Sequence, residues 1–415
     1  MGQIGTLRKG DSDPSKNPRP SRTTRDRTED DILNGWKEIG KFLHCSAKTA
    51  QRWADSDDLP ILRPVTRSKA PVLASKRALD AWLKGGVEHV ALTDTKLIAL
   101  DRRSRILWSY EFQHSLRNYG QDELEWRLRI VDLKGEGERG VLLAARFSTQ
   151  QNPNTLFYFS SSGKIDWRLE ADPLLRNRDG LPFDRAWAFK DIAVTPTSGG
   201  PVWAALGNHA GWAGCVLRID PRGRATVQFA NAGYVERLCP VTLQNGNFII
   251  ACGENNDFDQ AFVALLGADD APAGSPFGER LVYRFSNAPT GAPSKYILFP
   301  RTELNLARQS PYGHATRITQ HADGIIVEVE TGGNGGSFLY HFSKSLEPRY
   351  VFPSGSHEFV HQSLEKTGAI THSWLNCPEM QTPLFLRTWE PDSGWYDQPI
   401  PWRDNPWKEL QIGSA

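Results

Sequence analysis

WKEIGKFLHCSAKTAQRWADSDDLPILRPVTRSKAPVLASKRALDAWL, residues 36–83, is the stretch with the most specific pattern in the chain. Helical spacing is shared by its first four large apolar residues: Trp36, Ile39, Phe42 and Leu43. They predict one face of a short helix. Ser46 follows a short break and is a favoured N-cap, because its hydroxyl accepts a hydrogen bond from a free amide of the next turn. A second helix over about 47–55 is therefore predicted after a tight turn.

The second predicted helix has one apolar and one polar face. Ala50 and Trp53 continue the apolar face, and the small Ala50 allows the two helices to approach closely. The outer face carries polar and basic side chains: Lys48, Thr49, Gln51 and Arg52. Arginine pairs with guanine, glutamine pairs with adenine, and lysine and threonine bind backbone phosphates. The pattern is typical of a recognition helix in the major groove.

The rest of the stretch predicts a hairpin and a closing helix. Two apolar runs, 59–62 and 72–74, flank a basic tip that contains prolines. Ser75 is positioned to cap a third helix, which ends at Gly85-Gly86, where glycine accepts the left-handed C-terminal turn. The predicted order of elements, over residues 32–86, is that of a winged helix-turn-helix.

Residues 35–63 and the closing run SKRALDAWL resemble the MerR-like and excisionase-like winged helix-turn-helix domains. The resemblance covers about 50 of the 415 residues. It implies DNA contacts from the recognition helix and from the wing, through Ser46, Lys48, Thr49, Gln51, Arg52, Arg63, Arg67 and Lys69. One feature departs from the family, because the long dimerising helix of MerR-type regulators does not follow. How two half-sites would be paired is left open, and a dimer is compatible with the sequence.

The charge distribution agrees with a DNA-binding segment. Residues 32–86 contain ten Lys or Arg and five acidic residues, a net charge of +5, whereas the whole chain carries +1. Residues 1–31 contribute seven basic and six acidic residues, so the part after residue 86 sums to −5. The alternative interpretation is that the basic side chains form an ordinary solvated face.

The N-terminal residues predict a disordered arm. The cysteines predict a reduced protein in the cytoplasm. Residues 1–31 have almost no large apolar side chains, which predicts a disordered arm. We find neither the apolar core of a secretory signal nor a membrane-spanning apolar run. The five cysteines, at 45, 215, 239, 252 and 377, form no CxxC pair. They are expected to be free, buried thiols rather than a disulfide framework or a zinc site.

Residues 87–415 change to short apolar runs separated by polar turns. Six runs share this form: LIAL at 97, LFYF at 156, VLRI at 216, FVAL at 262, FLYH at 338 and LFLR at 384. Most are followed by a polar turn and an aromatic or β-branched strand, and further apolar runs precede them. Four strands per repeated unit predict a mainly β chain that ends in a six- or seven-bladed β-propeller. The 76-residue gap before FLYH contains RLVYRFS and YILFPRTELNLA, candidates for part of an extra blade.

Two segments of this region resemble known propeller repeats. LIALDRRSRILWSYEF is similar to the quinoprotein-type repeat, and VDLKGEGERGVLLAA is similar to a degenerate VCBS repeat, which implies a calcium loop. Asp132, Glu136 and Glu138 supply oxygen ligands, but Lys134 occupies a ligand position. A plain acidic hairpin turn is the favoured interpretation of this loop.

No catalytic constellation emerges from the sequence, so an enzyme is not predicted. His357 and His361 are four residues apart with His372 nearby, but in strand-and-loop context that spacing would not align them. We therefore predict no metal site and no cofactor. The glycine-rich run 332–336 precedes no helix and is interpreted as a hairpin tip.

Three functional interpretations follow. The first is a transcription regulator whose winged segment binds DNA and whose propeller senses a small ligand or a protein. The second is a scaffold in which the winged segment docks protein. The third is a propeller enzyme of unknown substrate, for which no residue supplies a nucleophile or base. No membrane partner is expected.

Overall fold

The chain forms two units, Met1–Lys84 and Gly85–Ala415, called the head and the body here. The computed structural model describes these residues: 32–56, 59–62, 72–76, 78–79, 86–117, 120–148, 153–183, 187–195, 199–307, 313–331 and 336–403. No helix in those ranges combines the length and apolar character needed to cross a membrane.

The head contains two helices and a small sheet. Its elements are β1 (Ile32–Asn34), α1 (Gly35–Phe42), α2 (Ala47–Ser56) and β2 (Leu73–Ser75). Strand β1 pairs antiparallel with β2, and Leu62 forms an antiparallel bridge to Leu73. Lys76, Ala78 and Leu79 are helical after β2. The amide of Ala78 donates a 3.5 Å hydrogen bond to the Ser75 hydroxyl, as expected for a cap.

The turn between α1 and α2 depends on close backbone packing. The Cys45 amide donates to the Gly40 carbonyl at 2.9 Å, and His44 adopts a left-handed φ of 52°. A Cβ on Gly40 would lie 2.9 Å from the Cys45 oxygen, so a larger residue at this position would push the turn away from α1. Ile39 and Ala50, both fully buried, hold the two helices against the head's core.

The body is built from antiparallel strands. Its first strands are β3 (His89–Leu92), β4 (Lys96–Leu100), β5 (Ile106–Glu111), β6 (Leu128–Val131), β7 (Gly140–Ala145), β8 (Thr155–Phe159), β9 (Ile165–Glu170), β10 (Trp187–Val194), β11 (Val202–Asn208), β12 (Ala213–Ile219) and β13 (Ala225–Asn231). The strands that follow are β14 (Val235–Leu243), β15 (Gly246–Asn255), β16 (Gln260–Gly267), β17 (Ala273–Gly274), β18 (Lys295–Leu298), β19 (His314–Gln320), β20 (Ile325–Glu330), β21 (Ser337–Phe342), β22 (Pro348–Pro353), β23 (Leu384–Glu390) and β24 (Gly394–Ile400).

Short helices lie between some of these strands. They are α3 (Gln121–Arg127), α4 (Glu303–Ala307), α5 (Gly355–Lys366) and α6 (Pro378–Gln381), with 3-10 turns at Leu281–Tyr283 and Trp374–Asn376. Helix α5 and the elements up to α6 occupy the connection between β22 and β23.

The described strands of the body form five sheets. Their orders are β3-β4-β5, β6-β7-β8-β9, β10-β11-β12-β13-β17, β14-β15-β16-β18-β23-β24 and β19-β20-β21-β22. All neighbours pair antiparallel except β13 and β17, which pair parallel. Each sheet is joined to the next one along the chain by a hydrophobic cluster that contains side chains from both sheets. The prediction of a mainly β, propeller-like body of repeated antiparallel sheets is confirmed.

Tryptophans connect the first three sheets by a repeated contact. The Trp108 indole N–H donates to the Ser161 carbonyl at 3.0 Å, and that of Trp167 donates to the Pro221 carbonyl at 3.2 Å. Both acceptors lie in the polar turn of the following sheet. The first two sheets therefore each pack an outer-strand tryptophan onto the hairpin of the next sheet.

The described sheets number five, where the spacing of the marker runs predicts six or seven blades. The last marker run, LFLR, lies in β23, which pairs with β18 at the edge of the fourth sheet and starts no sheet of its own. In the 76-residue gap, the RLVYRFS segment forms a 3-10 turn at Leu281–Tyr283, and YIL belongs to β18. Strand β18 extends the fourth sheet, whereas the RLVYRFS segment adds no strand to it.

Candidate functional site

The outer face of α2 carries the residues predicted to contact DNA. Lys48, Gln51 and Arg52 have exposed side chains, whereas Ala50 is fully buried against the core. Helix α2 begins at Ala47, as predicted, and ends at Ser56, one residue beyond the predicted Asp55. Three side chains able to bind bases or phosphates therefore lie on one exposed face of this ten-residue helix.

Ser46 and Thr49 are engaged within the helix start. The Ser46 hydroxyl accepts a 3.0 Å hydrogen bond from the Thr49 amide, and the two hydroxyl oxygens lie 2.8 Å apart. The predicted N-cap is confirmed. Ser46 is exposed and Thr49 is half-buried.

The base of the predicted wing is present beside β2. Leu62 and Leu73 exchange two backbone hydrogen bonds, of 2.8 and 2.9 Å, and so close an antiparallel pair. The wing contacts predicted at Arg63, Arg67 and Lys69 lie outside the described residues, as do residues 332–335 of the glycine-rich run.

The acidic loop of the second sheet has the geometry of a hairpin turn. Both carboxylate oxygens of Asp132 accept backbone amides, from Glu136 at 3.1 Å and from Gly137 at 2.7 Å. Lys134 forms a 2.7 Å ion pair with Asp166. These hydrogen bonds and this ion pair hold the loop as a hairpin turn.

The predicted context of the histidines is wrong. His357 and His361 lie on α5 and not in a strand or loop, so both side chains point to one buried face. The Nε2 atom of His361 lies 3.4 Å from that of His372. Two residues that the sequence interpretation missed, Glu303 and Cys377, complete this cluster. The sequence signal that could have indicated this cluster is that His361, His372 and Cys377 follow one another within the connection from β22 to β23.

Burial shifts the pKa of several groups around this cluster. It lowers the pKa of His357 to about 3, so this imidazole is neutral and packs on Phe338 with 4.0 Å between ring centroids. Burial and the neighbouring Glu303 raise the pKa of the Cys377 thiol to about 12. Burial also raises the pKa of Glu379 to about 7, although that carboxylate accepts the Glu303 amide at 2.5 Å.

The five cysteines are free thiols, as expected. Cys215, Cys239, Cys252 and Cys377 are buried, and Cys45 is half-buried.

No family model matches the sequence, and no curated protein matches it. Among solved structures, the Dos1 propeller aligns at 12% identity and a TM-score of 0.31, over 65% of this chain and 62% of that one. A functionally unknown protein from Desulfotomaculum acetoxidans aligns at 12% identity and a TM-score of 0.32, over 77% and 90%. The Neurospora crassa Pan2 WD40 domain aligns at 11% and 0.26, over 66% and 67%. Such scores carry no argument about function.

Proposed function

We propose that this chain is a DNA-binding protein, a transcription regulator whose head contacts duplex DNA through α2. The observation that carries the proposal is the exposed face of Lys48, Gln51 and Arg52 on a helix packed behind a tight helix-helix turn. The net charge of +5 over residues 32–86 supports it, because phosphate contacts dominate the affinity of such proteins.

In this proposal the residues of α2 have different roles. An α-helix with its side chains is about 10 to 12 Å across, and the major groove is about 12 Å wide, so α2 fits into it. Arg52 and Gln51 are adjacent and suited to bidentate contacts with guanine and adenine. Lys48, near the helix start, is placed to bind a phosphate beside the Ser46 cap.

The body is, in this proposal, the module that receives a small ligand or a protein partner. Its support is the series of sheets joined by continuous cores, which provides a rigid frame for loops. A single head makes few phosphate contacts, so specific binding at cellular salt would require a second head or a second site.

Removal of the two base-reading side chains is expected to weaken DNA binding. We expect the full chain with Gln51→Ala and Arg52→Ala to bind a fluorescent duplex at least about tenfold less tightly, since each base contact contributes about 1 to 3 kcal/mol. Fluorescence anisotropy at two salt concentrations measures this, and the native affinity should fall as salt rises.

The matched control for that pair is Lys164→Ala, which removes an exposed charge from the turn between β8 and β9 of the body. It should bind as the native protein does. Equal affinity of the double variant and the control would refute the role of α2. Absence of any anisotropy change at low salt would favour the scaffold interpretation, in which the head docks protein.

A change at Ser46 separates capping from DNA contact. Asp and Asn both cap helices as well as Ser does, so Ser46→Asp and Ser46→Asn should both keep the head folded. The aspartate places a negative charge where a phosphate is proposed, and we expect about tenfold weaker binding than for Ser46→Asn. Circular dichroism checks the fold and anisotropy checks the affinity. Equal binding by the two variants would place the phosphate elsewhere.

A further inference from the structure

We propose that Glu303, His361, His372 and Cys377 bind a divalent transition-metal ion, with zinc as the preferred ion. The four ligand atoms all lie within 4.8 Å of one another. They come from three separate places in the body: α4, α5 and the loop around the 3-10 turn Trp374–Asn376. This inference is independent of the proposed DNA binding.

One carboxylate oxygen is the common point of the cluster. The Oε1 atom of Glu303 lies 2.9 Å from His361 Nε2, 3.1 Å from His372 Nε2 and 3.1 Å from Cys377 Sγ. In a tetrahedral zinc site the ligand atoms are separated by about 3.3 to 3.6 Å, given bonds of about 2.0 to 2.3 Å. The Glu303 oxygen would thus move away from its three neighbours by a few tenths of an ångström, and the other three atoms, which lie within 4.8 Å of one another, would close around the ion.

The ligands are held in place by their own elements. Helix α5 is capped by the Ser354 hydroxyl, which accepts the His357 amide at 3.2 Å and fixes the turn that carries His361. Thr302 directly precedes helix α4, and its amide donates to the Asn305 side chain at 3.0 Å. The Cys377 amide donates to the Trp374 carbonyl at 3.2 Å. Local hydrogen bonds therefore fix the backbone beside each ligand.

The chemistry and burial of the ligands favour zinc in a closed site. One thiolate, two imidazoles and a carboxylate form a mixed set of sulfur, nitrogen and oxygen donors typical of zinc, whereas calcium and magnesium prefer oxygen. His361 is fully buried and Cys377 is 2% exposed. Four protein ligands leave no open position, so the ion would stabilise structure and would not catalyse a reaction.

A metal at this place would hold a segment that has little core of its own. Residues 355–381 contain α5, a 3-10 turn and α6, and no strand is present among them. Two buried residues of the segment, Val360 and Ile370, form a small hydrophobic cluster with Leu304 of α4. The ion would attach this segment to α4, because Glu303 belongs to α4 and the other three ligands belong to the segment.

The competing explanation is a hydrogen-bonded cluster in which Glu303 Oε1 accepts hydrogen bonds from the thiol and both imidazoles. Metal analysis of the purified full-length protein separates the two. We expect one equivalent of zinc per chain, measured by mass spectrometry of the metal. Cobalt added to the chelator-treated chain should give the visible bands of tetrahedral cobalt and a thiolate charge-transfer band.

Ligand variants localise the ion. We expect His372→Ala and Cys377→Ser to lower zinc affinity at least about 100-fold, since loss of even an outer-shell partner costs 10- to 100-fold. The controls are His89→Ala and Cys45→Ser, which remove an imidazole and a thiol elsewhere and should bind zinc as the native chain does. His372 is partly exposed, so His372→Ala tests the site even if Cys377→Ser does not fold.

Hydrogen exchange gives a second readout. Chelation should increase exchange in residues 355–381 of the native chain and leave β20 and β21 unchanged. A native chain that gives no cobalt spectrum would overturn the proposal. Ligand variants that bind zinc as tightly as the controls would also overturn it.

Discussion

Asn231→Asp is expected to destabilise the body by about 3 to 5 kcal/mol, which is the cost of leaving a buried charge without compensation. Asn231 is fully buried, and its Nδ2 group donates to the Gly233 carbonyl at 2.9 Å and to the Glu254 carbonyl at 2.8 Å. Aspartate has no donor to replace that amide, so a carboxylate oxygen would face two carbonyl oxygens.

The same side chain also connects the third and fourth sheets. Its Oδ1 atom accepts a 2.9 Å hydrogen bond from the Tyr296 hydroxyl, which in turn accepts one from Asn255 at 2.7 Å. All three residues are fully buried. A network of this kind is costly when one member changes, because the partners lose their hydrogen bonds without regaining water.

Chemical denaturation of the full chain measures this effect. The matched control is Asn247→Asp, at the exposed start of β15, where the side-chain oxygen accepts the Thr242 hydroxyl at 2.9 Å. Aspartate preserves that acceptor, so the control should be within about 0.5 kcal/mol of the native chain. If the two variants unfold at the same denaturant concentration, the network does not stabilise the body.

The second large effect is expected for Gly223→Ala, which should lower the free energy of unfolding by about 2 to 4 kcal/mol. Gly223 has a φ of +83°, and an added Cβ would lie 2.6 Å from Cγ of Trp167. The left-handed backbone costs about 1 kcal/mol for alanine. The remaining cost comes from displacing Trp167, which packs on this turn and donates to the Pro221 carbonyl.

Gly394→Ala is the matched control for that substitution. Gly394 also has a left-handed φ, of +66°, but an added Cβ would meet no atom within 4 Å. It should therefore show the backbone cost alone. Denaturation of both variants isolates the tryptophan contact as the difference between them, and equal losses of stability would show that this contact contributes nothing. Gly163 meets Trp108 in the same way, so Gly163→Ala should behave like Gly223→Ala.

Local patterns in the sequence predict the elements whose structure is decided by interactions between residues close in sequence. The helical spacing from Trp36 to Leu43 predicts α1, and the Ser46 hydroxyl marks the start of α2 because the capping bond spans three residues. Polar turns between apolar runs likewise predict the hairpins of the body. In these cases the interactions that decide the structure are short in sequence.

Pairings between distant segments are not predictable in this way. Strand β18 lies between β16 and β23, so the last marker run joins the fourth sheet. Nothing in the local spacing distinguishes that arrangement from a separate blade. The same reason applies to the cluster around Glu303, because Glu303 lies 69 residues before His372 and 74 before Cys377. The surrounding strands lead to the prediction that His357 and His361 lie in strands or loops, whereas Ser354 caps a helix there.

Hydrogen-deuterium exchange of the full chain, with and without a duplex at low salt, tests the DNA-binding role of α2 most directly. We predict slower exchange in the presence of DNA for peptides that cover residues 46–56, and loss of that protection in the variant with Gln51→Ala and Arg52→Ala. Unchanged exchange of residues 46–56 while the duplex is bound would contradict the account, as would failure of the native chain to bind any duplex.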